Sequence, residues 1–392
     1  MESPITSKLD LYVVTTPGLE ELTRAELEAL GLRPTGSEPG GISFEGSLDD
    51  LARANLWLRT ASRVLVRITS FHARALGELE RKAAAISWRS WLVPGVPVRL
   101  RVSCRKSRLY HQKAVAERIG RSLAAAGWEP VTGSAEPGEE GDEPNPDSGA
   151  PEAEAQMLLV RIFRDDCTIS LDSSGELLHR RGYRLASGKA PLRETLAAGL
   201  ILASGWDPST PLLDPFAGSG TIPIEAALIA RRIPPGRHRV FAFHRWPSWN
   251  PDRWKSLLEA ADARSLEKAP AAILASDRDA GAITAATANA ERARVSADIS
   301  ISRAAVSSIS PPEGPGWLVS NPPYGVRVGD QRELRDLYAR LGQVARARLP
   351  GWRLTLLVPA FPLERQTGLT WRELFSAKNG GLSVRAVFAT VG

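Results

Sequence analysis

Three stretches of this chain combine residue types that can do chemistry on a nucleoside. The first is Leu212-Leu213-Asp214-Pro215-Phe216-Ala217-Gly218-Ser219-Gly220-Thr221. It follows an apolar, strand-like run and precedes a helical one, Ile222 to Arg231. Two glycines let the backbone approach a ligand closely, and a helix start offers unpaired N–H groups to a carboxylate or phosphate. The spacing does not fit the dinucleotide fingerprint. A phosphate loop is only imitated, between Gly182 and Gly188-Lys189, where Ala190 replaces the required hydroxyl. The second stretch, Ser276-Asp277-Arg278-Asp279, ends another strand. A carboxylate there can accept both ribose hydroxyls of a nucleoside cofactor. Helix N-capping by Asp277 or Asp279 is the competing use.

The third stretch is Val319-Ser320-Asn321-Pro322-Pro323-Tyr324-Gly325. Two prolines after a strand make a stiff turn. An exocyclic base amine is a poor nucleophile, because its lone pair is delocalised into the ring. The side-chain carbonyl of Asn321 and the backbone carbonyl of Pro322 are placed to accept its two N–H bonds and localise that lone pair toward a sulfonium methyl. Tyr324 offers a ring for stacking that fixes the plane of an extruded base. A proline-stiffened loop with a packed tyrosine is the plainer reading of the turn alone.

These stretches need a frame to hold them. Short apolar runs at Pro211 to Asp214, Ala271 to Ser276, Trp317 to Ser320 and Leu354 to Val358 alternate with helical segments, which predicts a parallel, doubly wound sheet. Asn379-Gly380 before Leu382 to Thr390 predicts a hairpin and an antiparallel final strand. Upstream, residues 1–70 read as a small α+β unit. Its strands are Leu11 to Thr15, Ile42 to Phe44 and Val64 to Ile68; its helices are Leu19 to Leu30 and Leu48 to Trp57. A second unit, 71–175, carries helices near Leu76 to Trp88 and Lys113 to Ala126. Its strands are Pro97 to Ser103, Met157 to Phe163 and Cys167 to Asp172. Residues 176–190 read as a linker and 191–392 as the catalytic unit.

Within the second unit, residues 133–156 hold eight carboxylates and no Lys or Arg. Rich in Pro, Gly, Ser and Glu, this insertion is expected to be disordered. The formal net charge is +6, and without those eight charges the rest carries +14, which points to a polyanionic partner, nucleic acid first. No apolar run is long enough to cross a membrane, and Met1-Glu2-Ser3-Pro4 does not open a signal peptide. Cys104 and Cys167 lie far apart without a metal-ligand pattern, so reduced core thiols, no metal and a cytoplasmic location are expected.

The glycine loop, Asp277 and the Asn-Pro-Pro-Tyr turn, in this order, resemble class I methyltransferases that modify base amines. The whole chain resembles the bacterial THUMP-domain RNA methyltransferases, the group containing the RlmL-type guanine-N2 enzyme of 23S rRNA. The matching stretches are Thr16 to Glu20, Asn55 to Thr60, Cys104 to His111, His179 to Arg184 and Ala190 to Glu194. The resemblance implies a ferredoxin-like part, an RNA-binding THUMP domain and a C-terminal Rossmann-like domain. It implies S-adenosylmethionine as cofactor and the N2 amine of guanosine in structured RNA, rRNA or tRNA, as target.

By motif, cofactor residues carry over to Asp214, Gly218, Gly220 and Asp277, with Phe216, Ser219 and Thr221 in the same loop, and the catalytic turn to Asn321 through Tyr324. One departure is Ala305, which stands where the family carries an acidic contact to adenine. Arg101, Arg105, Lys106, Arg108, His111 and Lys113 form the candidate phosphate-binding cluster. At least two of Trp246, Trp249 and Trp254 are expected to pack beneath the catalytic face rather than stack on RNA, and His244 is expected to be structural. The division predicts that segment 185–392 alone binds cofactor but modifies RNA poorly. A DNA adenine methyltransferase shares the turn's chemistry. A non-catalytic RNA-binding protein is the reading of a different class, and the intact turn disfavours it. Oligomeric state is not legible.

Overall fold

A computed structural model describes residues 8–131, 155–184, 192–324 and 331–392. Nearly all of the acidic insertion, the Gly188-Lys189-Ala190 stretch and Gly325 lie outside the described residues. Gln156, assigned to the insertion, begins a strand.

The N-terminal half forms one eight-stranded sheet. Its strands are β1 (Leu9–Thr15), β2 (Pro34–Glu38), β3 (Gly41–Gly46), β4 (Ala61–His72), β5 (Val98–Arg105), β6 (Pro130–Val131), β7 (Gln156–Phe163) and β8 (Asp166–Asp172). They lie in the order β2-β3-β1-β4-β8-β7-β5-β6. Helices α1 (Glu20–Ala29), α2 (Leu48–Trp57), α3 (Leu76–Ala84) and α4 (Gln112–Ala125) accompany it. Local chemistry sets several ends. Ser47 and Asp50 make a reciprocal capping box on α2. Gly31 takes a left-handed φ of +73° just past α1. A boundary at 70/71 falls inside β4, which pairs with β1 on one side and β8 on the other.

The C-terminal half carries β9 (Leu212–Asp214), β10 (Ile273–Asp277), β11 (Ile299–Arg303), β12 (Trp317–Ser320), β13 (Arg353–Pro359), β14 (Arg372–Asn379) and β15 (Leu382–Thr390). Helices α5 (Glu194–Ser204), α6 (Thr221–Ala230), α7 (Pro251–Asp262), α8 (Ala280–Arg292) and α9 (Gln331–Arg348) belong to the same half. The strand order is β11-β10-β9-β12-β13-β15-β14. Strands β9 to β13 run parallel, and β15 is antiparallel to β13 and β14, as the hairpin signal predicted. The turn itself is shifted by one residue. Gly380 and Gly381 carry the positive φ angles, +54° and +82°, while Asn379 pairs with Leu382 inside the ladder. Two glycines adopt that turn with less steric cost than asparagine, which frees the Asn379 side chain.

The two halves share cores. Leu19 is fully buried in the cluster built by α5, α6 and the second sheet. In the other direction, Phe241, Phe243, Trp246 and Trp249 join the core of the first sheet, with Trp254 packed against it. The tryptophans therefore pack, as expected, but against the N-terminal half rather than beneath the catalytic face. His244 sits among these rings and burial pushes its pKa down to about 4, which suits a structural imidazole. The stretch from 176 to 184 is no loose tether: His179, Arg181 and Tyr183 are buried. Among the described residues, no helix is long and apolar enough to cross a membrane, and no His, Cys, Asp or Glu cluster could hold a metal. Cys167 is buried and Cys104 half-buried, both as free thiols.

Candidate active site

In an open parallel sheet, ligands sit beyond the carboxyl ends of the strands where strand order reverses. Here that point lies between β9 and its two neighbours, β10 and β12. A cavity of about 480 Å³ opens there. Its walls come from the ends of four strands: Asp214 to Ser219 after β9, Asp277 and Arg278 after β10, Ala304 to Ser307 after β11, and Asn321 and Pro323 after β12. Leu192, Thr221, Ile222, Leu337 and Arg340 complete it.

Hydrogen bonds fix this floor from behind. Asp214 is 1% exposed. Its Oδ1 accepts from the Ser320 hydroxyl at 2.5 Å and from the Phe216 N–H at 3.1 Å. Burial nevertheless pushes the Asp214 carboxyl up to about 7, and the nearby Asp277 charge adds to this. Asp277 accepts from the N–H groups of Gly218, at 2.9 Å, and Asp279, at 3.0 Å. The competition between the two aspartates is thereby resolved. Asp279 caps α8 by accepting from Ala282 N–H at 2.7 Å, which leaves Asp277 to tie the glycine loop to β10 and face the cavity.

The two glycines do different work. Gly218 has φ +53°, lines the cavity and has nothing within 4 Å of where a Cβ would lie, so its open side faces free space. Gly220 has φ +84°, and a Cβ there would meet the Ala286 Cβ at 3.0 Å and Cα at 3.2 Å. Gly220 does not line the cavity; it lets α8 close on the start of α6. Thr221 lines the cavity, but its hydroxyl accepts from Arg184 at 2.6 Å. Behind the loop, Asn289 donates to the Ser219 carbonyl at 2.9 Å. Arg292 bonds both Asn289 and, at 2.6 Å, the Tyr183 carbonyl.

The turn after β12 brings Asn321 and Pro323 to the cavity wall. The Oδ1 of Asn321 is buried and lacks a hydrogen-bond partner among the described residues. An orphaned buried acceptor costs about 1–3 kcal/mol, so it marks a position where a donor is expected to arrive. Pro322 is buried and outside the cavity lining. Tyr324 also stands outside the lining; its ring packs on the sheet's core and its hydroxyl accepts from Asn379 Nδ2 at 3.3 Å. Sequence reading missed Asn379 in this role because it placed that residue in the hairpin turn.

Ala305 lines the cavity, with Ser307 beside it. The six basic candidates fall elsewhere. Arg101 lies half-buried in β5, Arg105 ends that strand, and Lys106, Arg108, His111 and Lys113 are exposed between β5 and the first turn of α4. Tyr110, in the same loop, is 66% exposed and its ring centroid lies 4.0 Å from that of His111.

Comparison with known proteins agrees with this geometry. The RMKL-like methyltransferase domain matches residues 181–386, and the RlmL ferredoxin-like domain matches residues 10–65. The chain is 32% identical over 373 residues to slr0064 of Synechocystis sp., named as an RNA methyltransferase, covering 95% of this chain and 94% of that one. It is 35% identical over 397 residues to the ribosomal RNA large subunit methyltransferase K/L of Syntrophotalea carbinolica, covering 98% of this chain and 53% of that one. The chain thus spans about half the length of the K/L relatives it matches. Among solved structures, SMU.472, named as a methyltransferase and solved with SAH, superposes with a TM-score of 0.84 at 27% identity over 100% of this chain and 99% of that one. A protein of Listeria monocytogenes, named as an N6-adenine-specific DNA methylase, superposes with 0.83 at 32% identity over 97% and 96%. The expected Rossmann-like fold and S-adenosylmethionine cofactor agree with these relatives. The chain belongs to the RMKL-like methyltransferase family.

Proposed function

We propose that this protein methylates the exocyclic N2 amine of guanosine in structured RNA, most specifically 23S rRNA. The observation that carries the reading is the unsatisfied, buried Oδ1 of Asn321 at the wall of the cavity. S-adenosylmethionine, when bound, supplies an electrophilic methyl group. The chain's own residues do the rest. Asp277 is assigned to the ribose hydroxyls and Gly218 to close backbone approach, with Phe216, Ser219 and Thr221 completing the wall and Gly220 holding it. Asn321 Oδ1 accepts one amine N–H, and the Pro322 carbonyl the other. Pro322 and Pro323 stiffen the turn, and Tyr324, its ring packed on the sheet's core and its hydroxyl held by Asn379, braces the turn from outside the cavity lining. No strong general base is needed, because the amine proton leaves to water once the nitrogen has been alkylated.

Residues 71–175 are assigned as the RNA-binding unit, with 1–70 as its ferredoxin-like partner and 191–392 as the catalytic unit. Arg101, Arg105, Lys106, Arg108, His111 and Lys113 are proposed to meet phosphates, and the exposed Tyr110 a base. Support comes from the relatives named for RNA and from the body charge of +14 outside the acidic insertion.

The test is mass spectrometry of rRNA and tRNA nucleosides from cells with and without the gene. Loss of N2-methylguanosine from 23S rRNA is expected; loss from tRNA would move the target and keep the chemistry. The Listeria relative's name favours a second reading, DNA adenine N6 methylation. Loss of N6-methyladenine from DNA, with RNA unchanged, would establish it instead.

Asp214 adds a pH dependence. Its carboxyl is protonated in the free site below about 7, well above the ordinary 3.8. A group raised on folding contributes stability at low pH that is lost as pH rises through its folded value. A cofactor cation in the same cavity favours the ionised form and offsets that loss. Calorimetry is therefore expected to show S-adenosylmethionine binding that tightens from pH 6 to pH 8, by up to about tenfold per unit below the pKa. Equal affinity at both values would remove Asp214 from contact with the cofactor's charge.

A further inference from the structure

Helix α8 turns a small apolar face inward at Ala286 and Ala290. Asn289 interrupts that face and is 3% exposed. An amide is a poorer helix former than alanine and costs desolvation, so packing alone does not ask for it. Both ends of the amide are engaged. Its Nδ2 donates to the Ser219 carbonyl at 2.9 Å, and its Oδ1 accepts from the Arg292 guanidinium. Arg292 stands three residues on in α8 and therefore on the same side of the helix. A guanidinium only donates and a carbonyl only accepts. One orientation of the amide satisfies both partners, and Arg292 locks it.

The bond to Ser219 differs in origin from the others that shape the glycine loop. Phe216, Ala217 and Gly218 give their N–H groups to Asp214, the Ser276 carbonyl and Asp277, all on β9 and β10. The Ser219–Gly220 peptide is held differently. Its N–H donates to the Ala217 carbonyl at 2.8 Å, and its carbonyl is bonded by α8. With both ends bonded, the plane of that peptide is fixed. Its rotation would move Gly218 and Ser219, which both belong to the cavity wall.

Arg292 is itself restrained. Its Nε donates to the Tyr183 carbonyl at 2.6 Å, and the Tyr183 hydroxyl donates to Glu225 of α6 at 3.0 Å. One buried residue thus ties together the two helices that flank the loop. One turn before Asn289 on α8, Ala286 fills the space beside Gly220. The side chain that reaches the loop is therefore carried by a firmly seated helix, which sets its position within narrow limits.

We propose that Asn289, oriented by Arg292, is a positioning residue for cofactor binding. It holds the Ser219–Gly220 peptide so that the glycine loop keeps the shape that receives S-adenosylmethionine. Neither residue is in the cavity lining, so both act through the loop. The inference rests on the reading of this cavity as the cofactor site.

The test uses the full chain. Titration calorimetry with S-adenosylhomocysteine gives Kd, scanning calorimetry gives Tm, and steady-state kinetics separate the cofactor KM from kcat. The informative substitution is Asn289→Asp, which keeps an acceptor for Arg292 but sets an oxygen against the Ser219 carbonyl. Kd and cofactor KM are expected to rise about tenfold, the usual cost of leaving a buried acceptor unpaired. At saturating cofactor, kcat should fall less than about twofold, because the loop is then held by its ligand. A stronger bond to Arg292 offsets the lost one, so Tm should move by less than about 4 °C. Arg292→Ala frees the amide to turn over and should raise Kd about threefold, with Arg292→Lys in between. Adding Arg292→Ala to Asn289→Ala should weaken binding no further. An unchanged Kd with a lowered Tm would overturn the proposal and leave Asn289 as packing. Effects that multiply in the double substitution would overturn the action of Arg292 through Asn289. Should Asn289→Asp fail to fold, Arg292→Ala at the exposed end of α8 decides, and an unchanged Kd there would overturn the proposal. Asp277→Ala separates the two readings. No loss of affinity there would sink the cavity as the cofactor site; a loss there with none for Asn289→Asp would sink the positioning role alone.

Discussion

Replacing Asn321 with alanine is expected to reduce methyl transfer by about a thousandfold while leaving cofactor affinity within about twofold. The size follows from what the side chain does. Its Oδ1 has no partner among the described residues, so in the proposed reaction its acceptor capacity is available to a substrate N–H. Preorganised polar groups of this kind, aimed at charge that develops only in the transition state, are worth about 10²–10³ in kcat each. The substitution opens no large cavity, because Asn321 lies at a solvent-facing wall rather than in the core. The loss should therefore appear in kcat, measured in single turnover with labelled cofactor, and not in melting temperature. A variant that keeps half its activity would show that the amine needs no acceptor at this position. A variant that loses cofactor affinity in step with rate would show that Asn321 positions the cofactor instead.

The second large effect concerns cutting the chain. A purified segment 185–392 is expected to be insoluble or molten rather than a cofactor-binding domain, contrary to what the sequence alone suggested. Three features make the halves inseparable. Leu19 fills the core beside α5, and a Cβ on Gly18 would lie 1.8 Å from the Ser376 carbonyl oxygen of β14. Gly236 donates to the Leu56 carbonyl at 2.9 Å and has no room for a side chain. Most costly, the cut strands buried charge. Glu225, fully buried, faces Arg181 at 3.5 Å and accepts from Tyr183 at 3.0 Å. Glu194, pushed up to about 7 by burial, faces Arg184 at 3.5 Å. Arg59 reaches across to the Ile233 carbonyl at 2.7 Å. Removing one partner of a buried pair costs about 3–5 kcal/mol, and the cut removes several at once. Circular dichroism and cofactor titration of the fragment would check this. A cooperative melt with full cofactor affinity would refute it.

That reversal shows where sequence reading stops. Periodicity located the strands that bear the site, because short buried runs such as Trp317 to Ser320 and the adjoining turn residues are local signals. The order Asp214, Asp277, Asn321 then placed three chain-distant groups on one cavity, since parallel strands present their ends together. Contacts between halves left no such trace. Arg181 and Tyr183 look like linker residues until Glu225 is seen opposite them. Gly220 looks like a ligand glycine until Ala286 is seen behind it. The tryptophans of 246–254 read as catalytic-half packing because chain position suggested it, whereas their rings fill the other half's core. The hairpin shift by one residue had a similar cause. Asn-Gly and Gly-Gly both satisfy a tight turn, and only the ladder register chose between them.

The central claim is transfer of a methyl group to the N2 amine of guanosine in RNA, at the wall formed by Asn321. The most direct measurement incubates the purified full chain with S-adenosylmethionine bearing a deuterated methyl group and ribosomal RNA from cells lacking the gene. The RNA is then digested and its nucleosides are resolved by mass spectrometry. The account predicts deuterium in N2-methylguanosine for the wild type, and about a thousandfold less for Asn321→Ala. Deuterium in another nucleoside, or none in RNA while DNA adenine takes the label, would contradict it.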